Sequence, residues 1–163
     1  MERLWAPWRL EYVAGASKED GDDRCIFCAK PEDGDDDRAL IVHRGERCFV
    51  LLNLYPYSNG HLMVAPYRHL AGPGELDEAE RSEMWRLMDE AVRALTDAMS
   101  PHGFNAGINI GRVAGAGVED HLHLHVVPRW NGDTNFMPVL ADVKVMPEHI
   151  TRTAEKLRAS WPA

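Results

Sequence analysis

Three histidines at every second position, His121, His123 and His125, hold the most obvious chemical capacity of this 163-residue chain. In His121-Leu122-His123-Leu124-His125-Val126-Val127, an extended strand sends the imidazoles to one face and the leucines and valines into a core, because strand side chains alternate. Three kinds of chemistry fit such a row. The rings could sit idle on a wet sheet face, although partly desolvated imidazoles need partners for their N–H groups. They could bind a metal with one open position and activate a hydroxide. Or one ring nitrogen could attack phosphorus and form a covalent phosphoramidate, if its other nitrogen is held by an acceptor that fixes the tautomer. Neighbouring imidazoles would then hold phosphate oxygens. The preceding loop, Gly111-Arg112-Val113-Ala114-Gly115-Ala116-Gly117, is rich in accessible backbone N–H, which suits an anion.

A second candidate is Cys25-x-x-Cys28, which has the spacing of half a tetrahedral zinc site and needs two more ligands, which histidines would supply. The plainer alternative is a pair of buried reduced thiols packing as small hydrophobes. Cys48, mid-strand, belongs to the core. Met84, Met88 and Met99 follow helical spacing and are core residues too. Asp35-Asp36-Asp37 is a solvated charge run rather than a metal site, because consecutive carboxylates diverge and repel. His43, His102 and His149 fall at element ends and receive no function. Arg112 and Arg129 are candidates to reach a polyphosphate tail, although surface arginines usually do less.

These groups need a scaffold. Ala39 to His43 and Arg47 to Asn53 form a hairpin about Arg44-Gly45-Glu46, and His61 to Pro66 is a third strand after the turn Ser58-Asn59-Gly60. From Leu76 to Met99 apolar residues recur at three- and four-residue steps, with Asp77-x-x-Glu80 as a capping box and Ser100-Pro101 as the stop. Asn105 to Ile110 and His121 to Val127 are two more strands. Pro147 opens a terminal helix with Ile150, Ala154, Leu157 and Trp161 on one face. The order β-β-β-α-β-β-α with tight turns predicts an α+β domain: an antiparallel five-stranded sheet, one long helix and a C-terminal helix. Residues 15–38 are acidic and rich in Gly and Asp, so they are expected to be mobile loops around the Cys25–Cys28 knuckle. Leu4-Trp5-Ala6-Pro7-Trp8-Arg9 is too apolar to stay wet and is expected, within an arm spanning residues 1–14, to lie across the domain or a second subunit.

Composition narrows the function. The chain fits a single domain over 1–163, with 45% hydrophobic and 27% charged residues. No apolar run is long enough to span a bilayer, the start lacks a secretion signal, and three cysteines are too few for a disulfide framework, so a cytoplasmic location is expected. Of the net charge of −8, residues 18–38 hold −5 (four basic against nine acidic side chains). With no Lys/Arg cluster, duplex nucleic acid is not the expected partner.

The segment His121 to Val127 resembles the signature of the histidine triad family of nucleotide hydrolases and transferases, His-φ-His-φ-His-φ-φ with φ apolar, at all seven positions. Upstream, Leu52-Asn53-Leu54-Tyr55-Pro56-Tyr57-Ser58-Asn59-Gly60-His61 is similar to that family's second block, in which an asparagine lies eight residues before the histidine. Leu4 to Arg9 and Pro128 to Phe136 resemble a bacterial branch that includes diadenosine tetraphosphate phosphorylases. The resemblance implies that His123 is the nucleophile, flanked by His121 and His125, with the first histidine's carbonyl orienting it and the third touching non-bridging oxygens. It further implies that Asn53 binds ribose and His61 lies near the phosphates. Asn109, Gly115 and Gly117 would then belong to the phosphate loop. It implies no cofactor for the chemistry and a possible structural zinc, held by Cys25, Cys28, His69 and His121 as in zinc-bearing relatives. The substrate would be an adenine nucleotide, with water or orthophosphate as acceptor, and the protein a homodimer.

Overall fold

The computed structural model describes residues 24–133 and 148–162. Two short helices, α1 (Ile26–Glu32) and α2 (Asp36–Ala39), come first, followed by β1 (Ile41–Arg44), β2 (Cys48–Leu52) and β3 (Leu62–Pro66). The long helix α3 (Glu78–Met99) leads to β4 (Gly103–Ile108), β5 (Leu124–Arg129) and the terminal helix α4 (Ile150–Ala159). The five strands make one antiparallel sheet in the order β1-β2-β3-β5-β4, which is the α+β architecture expected. Among the described residues no helix is long and apolar enough to cross a membrane.

The sheet is buried on both faces over its centre, and strand alternation sorts the residues. Val50, Leu52, Leu62, Val64, Leu122, Leu124 and Val126 join the larger core with Met84, Leu87, Ala91 and Leu95 of α3 and Ala154 and Leu157 of α4. Their neighbours Phe49, Leu51, Met63 and Ala65 point the other way, into a smaller cluster with Phe27 of α1. On β5 and its lead-in, the positions alternating with Leu122, Leu124 and Val126 are the three histidines, all buried. The imidazole row therefore borders the smaller apolar cluster.

Helix α3 starts and stops where its local chemistry directs. Asp77 accepts from the Glu80 N–H at 2.8 Å while Glu80 accepts from the Asp77 N–H at 2.9 Å, and Ser100 ends the helix in the left-handed region. A device not visible in the pattern joins this helix to the β1–β2 hairpin. Buried Glu83 accepts from the N–H groups of Glu46 at 2.9 Å and Arg47 at 2.7 Å. A side chain at Gly45 would collide with that carboxylate.

Several expectations need correction. Residues 26–32 and 36–39 are helical rather than loop, because burial of Phe27 and the Asp35 cap on the Asp37 and Arg38 N–H groups order an acidic stretch that lacks helical periodicity. The aspartates are not simply solvated. Asp36 pairs with Arg44 at 2.7 Å, and Asp37 with Arg158 of α4. The last strand starts at Leu124, so His121 to His123 form an extended lead-in, anchored by the Leu122 N–H on the Leu70 carbonyl at 2.7 Å. Strand β4 lies two residues earlier than expected, paired Gly103 to Arg129 through Ile108 to Leu124. Helix α4 is capped by His149, and Trp161 stacks on His43 with centroids 4.9 Å apart. The tryptophan-rich arm and Pro147 lie outside the described residues.

Candidate active site and metal site

Two tasks divide the histidine row. His121 turns Nδ1 toward Cys25 Sγ at 3.3 Å and Cys28 Sγ at 3.6 Å, while His69 Nδ1 lies 3.4 Å from Cys28 Sγ. All four ligand atoms fall within 4.8 Å of one another. A tetrahedral zinc with its usual bond lengths separates sulfur and nitrogen ligands by about 3.5 Å, so the set fits that ion. The His121 Nε2–H donates to the Pro66 carbonyl at 2.9 Å, which leaves Nδ1 as the free lone pair a metal needs. Burial and then the neighbouring Cys25 push the Cys28 thiol up to about 11, a cost that a divalent cation would offset.

His123 is held differently. Its Nδ1–H donates to the His121 carbonyl at 2.8 Å, so Nε2 keeps its lone pair. Burial lowers its pKa below the ordinary histidine value, which keeps the ring neutral at pH values where histidine is ordinarily half protonated. Phe27 stacks against this ring with centroids 4.8 Å apart at 26°, and His125 meets it edge-on at 4.8 Å and 75°.

The tautomer of His125 follows from a chain of bonds that begins in the Asn53–His61 turn. The Tyr57 N–H donates to His61 Nδ1 at 3.0 Å, so the His61 proton sits on Nε2. That Nε2–H reaches His125 Nδ1 at 2.9 Å, and His125 in turn carries its proton on Nε2. Asn109 Nδ2 lies 3.4 Å from this nitrogen and also donates to the Gly115 carbonyl at 3.4 Å. Two N–H donors facing each other converge rather than bond, an arrangement that an anionic oxygen satisfies. Tyr57 also stacks on His61 at 4.7 Å, closing the turn over the pair.

The other expected residues are placed as follows. Asn53 is half-buried; its Oδ1 accepts from the Tyr55 N–H at 2.9 Å and its Nδ2 lies 3.4 Å from His61 Nδ1, so it shapes the turn whatever else it binds. Gly115 lies in a short 3-10 turn over Arg112–Ala114, and its N–H bonds to the Arg112 carbonyl at 2.9 Å rather than being open to a ligand. Gly117 is exposed in the same loop. Arg112 is exposed with Glu119 nearby at 4.0 Å. Arg129 sits at the far end of β5, tied to Asp133 and Asn105, away from the histidines. Sequence spacing did not single out Phe27 or Tyr57 for contact with the imidazoles, although both flank residues that it did single out.

A metal shared by the three triad histidines does not match this geometry. Both His121 nitrogens are engaged elsewhere, and the Nδ1 atoms of His123 and His125 face a carbonyl and His61. Among the described residues, Cys25, Cys28, His69 and His121 are the one group of three or more such side chains that could hold an ion.

A HIT domain pattern matches residues 36–132, and the chain belongs to the HIT family. It is 38% identical to AP-4-A phosphorylase of Mycobacterium tuberculosis over 99% of this chain and 85% of that protein. It is 31% identical to adenosine 5'-monophosphoramidase hnt1 of Schizosaccharomyces pombe over 82% of this chain and 95% of that one. Among solved structures, a Zn-bound histidine triad family protein from Mycobacterium smegmatis superposes with a TM-score of 0.67 at 27% identity, covering 83% of this chain and 91% of the other. The family supports nucleotide hydrolase or transferase activity.

Proposed function

We propose that the protein is a dinucleoside polyphosphate phosphorylase that moves a nucleotidyl group from diadenosine tetraphosphate to orthophosphate through His123. One observation carries the proposal: a buried neutral imidazole with Nδ1 pinned to a carbonyl and Nε2 free, beside a second imidazole whose Nε2 bears a proton. The Nε2 lone pair of His123 attacks the α-phosphorus, the bond to the departing polyphosphate breaks, and ATP leaves. The His125 Nε2–H and the Asn109 amide offset charge on the non-bridging oxygens. An orthophosphate oxygen then attacks the same phosphorus, the P–N bond breaks, and ADP leaves. The relationship to AP-4-A phosphorylase favours phosphate over water as acceptor.

Cys25, Cys28, His69 and His121 would hold a zinc ion. Its contribution when bound is structural, tying α1 to the residue whose carbonyl orients His123. We take the chain to be a single domain, homodimeric and cytoplasmic. The outer edge of β4, with Asn105, Ala106 and Gly107 exposed, is available for pairing, and free Cys25, Cys28 and Cys48 fit a reducing compartment. Size-exclusion chromatography with light scattering checks the dimer.

A second reading, nucleoside phosphoramidate hydrolysis by the same nucleophile, is favoured by the monophosphoramidase relative. Product analysis separates the two. Diadenosine tetraphosphate incubated with and without orthophosphate should give ADP plus ATP only when phosphate is present. AMP plus ATP regardless of phosphate indicates a hydrolase, and full turnover by His123→Ala sinks the covalent route altogether.

A further inference from the structure

We propose that Phe27 is a positioning residue for the nucleophile, resting on the function assigned above to His123. The two cysteines carry Phe27 between them on the first turn of α1, with Cys25 as the N-cap. Its ring is only 1% exposed and touches the row of imidazoles twice, at 4.8 Å and 26° on His123 and at 5.2 Å and 41° on His121.

A single hydrogen bond from Nδ1 leaves an imidazole free to swing about that bond. Attack on phosphorus requires the Nε2 lone pair to stay in line with the departing oxygen. Three contacts together remove the freedom: the His121 carbonyl at Nδ1, the edge of His125, and the flat face of Phe27. Phe27 makes no polar contact, so what it supplies is a wall against which only one ring plane packs. Its place depends in turn on Cys25 and Cys28, which face His121 and His69. The helix that completes the cysteine and histidine cluster thus also sets the plane of the nucleophile.

Phe49 provides an internal control, because it is equally buried in the same apolar cluster but stacks on Tyr67 and not on a triad histidine. The test compares Phe27→Leu, Phe27→Tyr and Phe49→Leu, with zinc content and thermal midpoint measured for each. Phe27→Leu should slow nucleotidylation of His123 by about 10- to 100-fold, the range a small misplacement of a reacting group costs. Its KM should change by less than about threefold, as expected when ground-state binding is kept. Phe27→Tyr should recover most of the rate, and Phe49→Leu should lose little beyond its stability. The His123 ring protons, followed by NMR in the free protein, should move downfield in Phe27→Leu as the shielding of the phenyl face disappears. Equal rate losses in Phe27→Leu and Phe49→Leu, or unmoved His123 resonances, overturn the proposal. If the wild-type protein forms no adduct on His123, the function assigned above fails, while the resonances still report whether Phe27 holds the ring.

Discussion

Replacing His61 with leucine tests the tautomer relay that ends at His125. His61 is fully buried, accepts from the Tyr57 N–H and donates to His125 Nδ1 at 2.9 Å. Leucine fills much of the space and does neither. His125 must then choose between two poor states. With its proton kept on Nε2, the buried Nδ1 loses the His61 donor, at a cost of about 1–3 kcal/mol. With its proton moved to Nδ1, a lone pair faces the phosphate oxygens where a donor is needed. Either way the productive arrangement is penalised by about 1–3 kcal/mol, which corresponds to roughly a 5- to 150-fold slower nucleotidylation. Rapid-quench measurement of the adduct under saturating diadenosine tetraphosphate reads this directly. His61→Gln keeps an N–H aimed along the same path and should lose less than about tenfold, one decade being 1.4 kcal/mol. A leucine variant within about threefold of wild type, or a glutamine variant no better than the leucine one, would refute the relay.

Other perturbations probe the scaffold. Glu83→Ala strands the Glu46 and Arg47 N–H groups and removes one partner of Arg86, and should cost about 2–4 kcal/mol in urea denaturation; a loss within the noise of the method contradicts the hairpin clamp. The Arg68 guanidinium holds Glu80 at about 2, against an ordinary value of 4.5. Because the folded value is the lower one, this pair stabilises the protein fully above pH 4.5 and loses its effect as pH falls toward about 2. With Arg68 half exposed, the contribution is discounted to about 1–2 kcal/mol, so the stability gap between wild type and Glu80→Gln should close as pH falls from 4.5 to about 2. A gap constant with pH assigns the effect to packing. Zinc held at about a thousand times its Kd should raise stability by about 4 kcal/mol, and a chelator should remove that gain. Cys28→Ser should show no such difference, and equal denaturation midpoints with and without chelator in the wild type argue against a structural ion.

How far the sequence carries depends on the range of the interaction. Helix α3 was legible because its period, its Asp77–Glu80 box and its Ser100-Pro101 stop are all local. The facing of His121, His123 and His125 was legible for the same reason, since alternation needs only neighbours. The short helices α1 and α2 were not. Acidic residues and glycines surround them, and what orders them is burial of Phe27 and ion pairs to Arg44, beyond the helices in β1, and to Arg158, 121 residues along the chain from Asp37. The tautomer relay was out of reach too, because His61 and His125 meet only through the β3–β5 register, in which Met63 faces His125. Cys25 and Cys28 are legible in their spacing and only His69 and His121 come from a resemblance, and the geometry joins the four across 96 residues between Cys25 and His121. The glycine loop looked like an open cradle in sequence, yet its own short turn engages the Gly115 N–H.

The acceptor that holds the nucleophile belongs to no side chain. The group that orients His123 is the carbonyl of His121, part of the main chain. Mutagenesis at position 121 alters what faces the cysteines but leaves that acceptor in place, so the two duties of one residue can drift apart in evolution. Chain length is where the acceptor is vulnerable. A residue inserted between His121 and the paired stretch at Leu124 would put His121 out of phase with His125, so that one end of the row turns to the opposite face. Selection on this site therefore acts on spacing as strongly as on identity, and the stretch from His121 to His125 is expected to tolerate substitution of its apolar members far better than any change in their number.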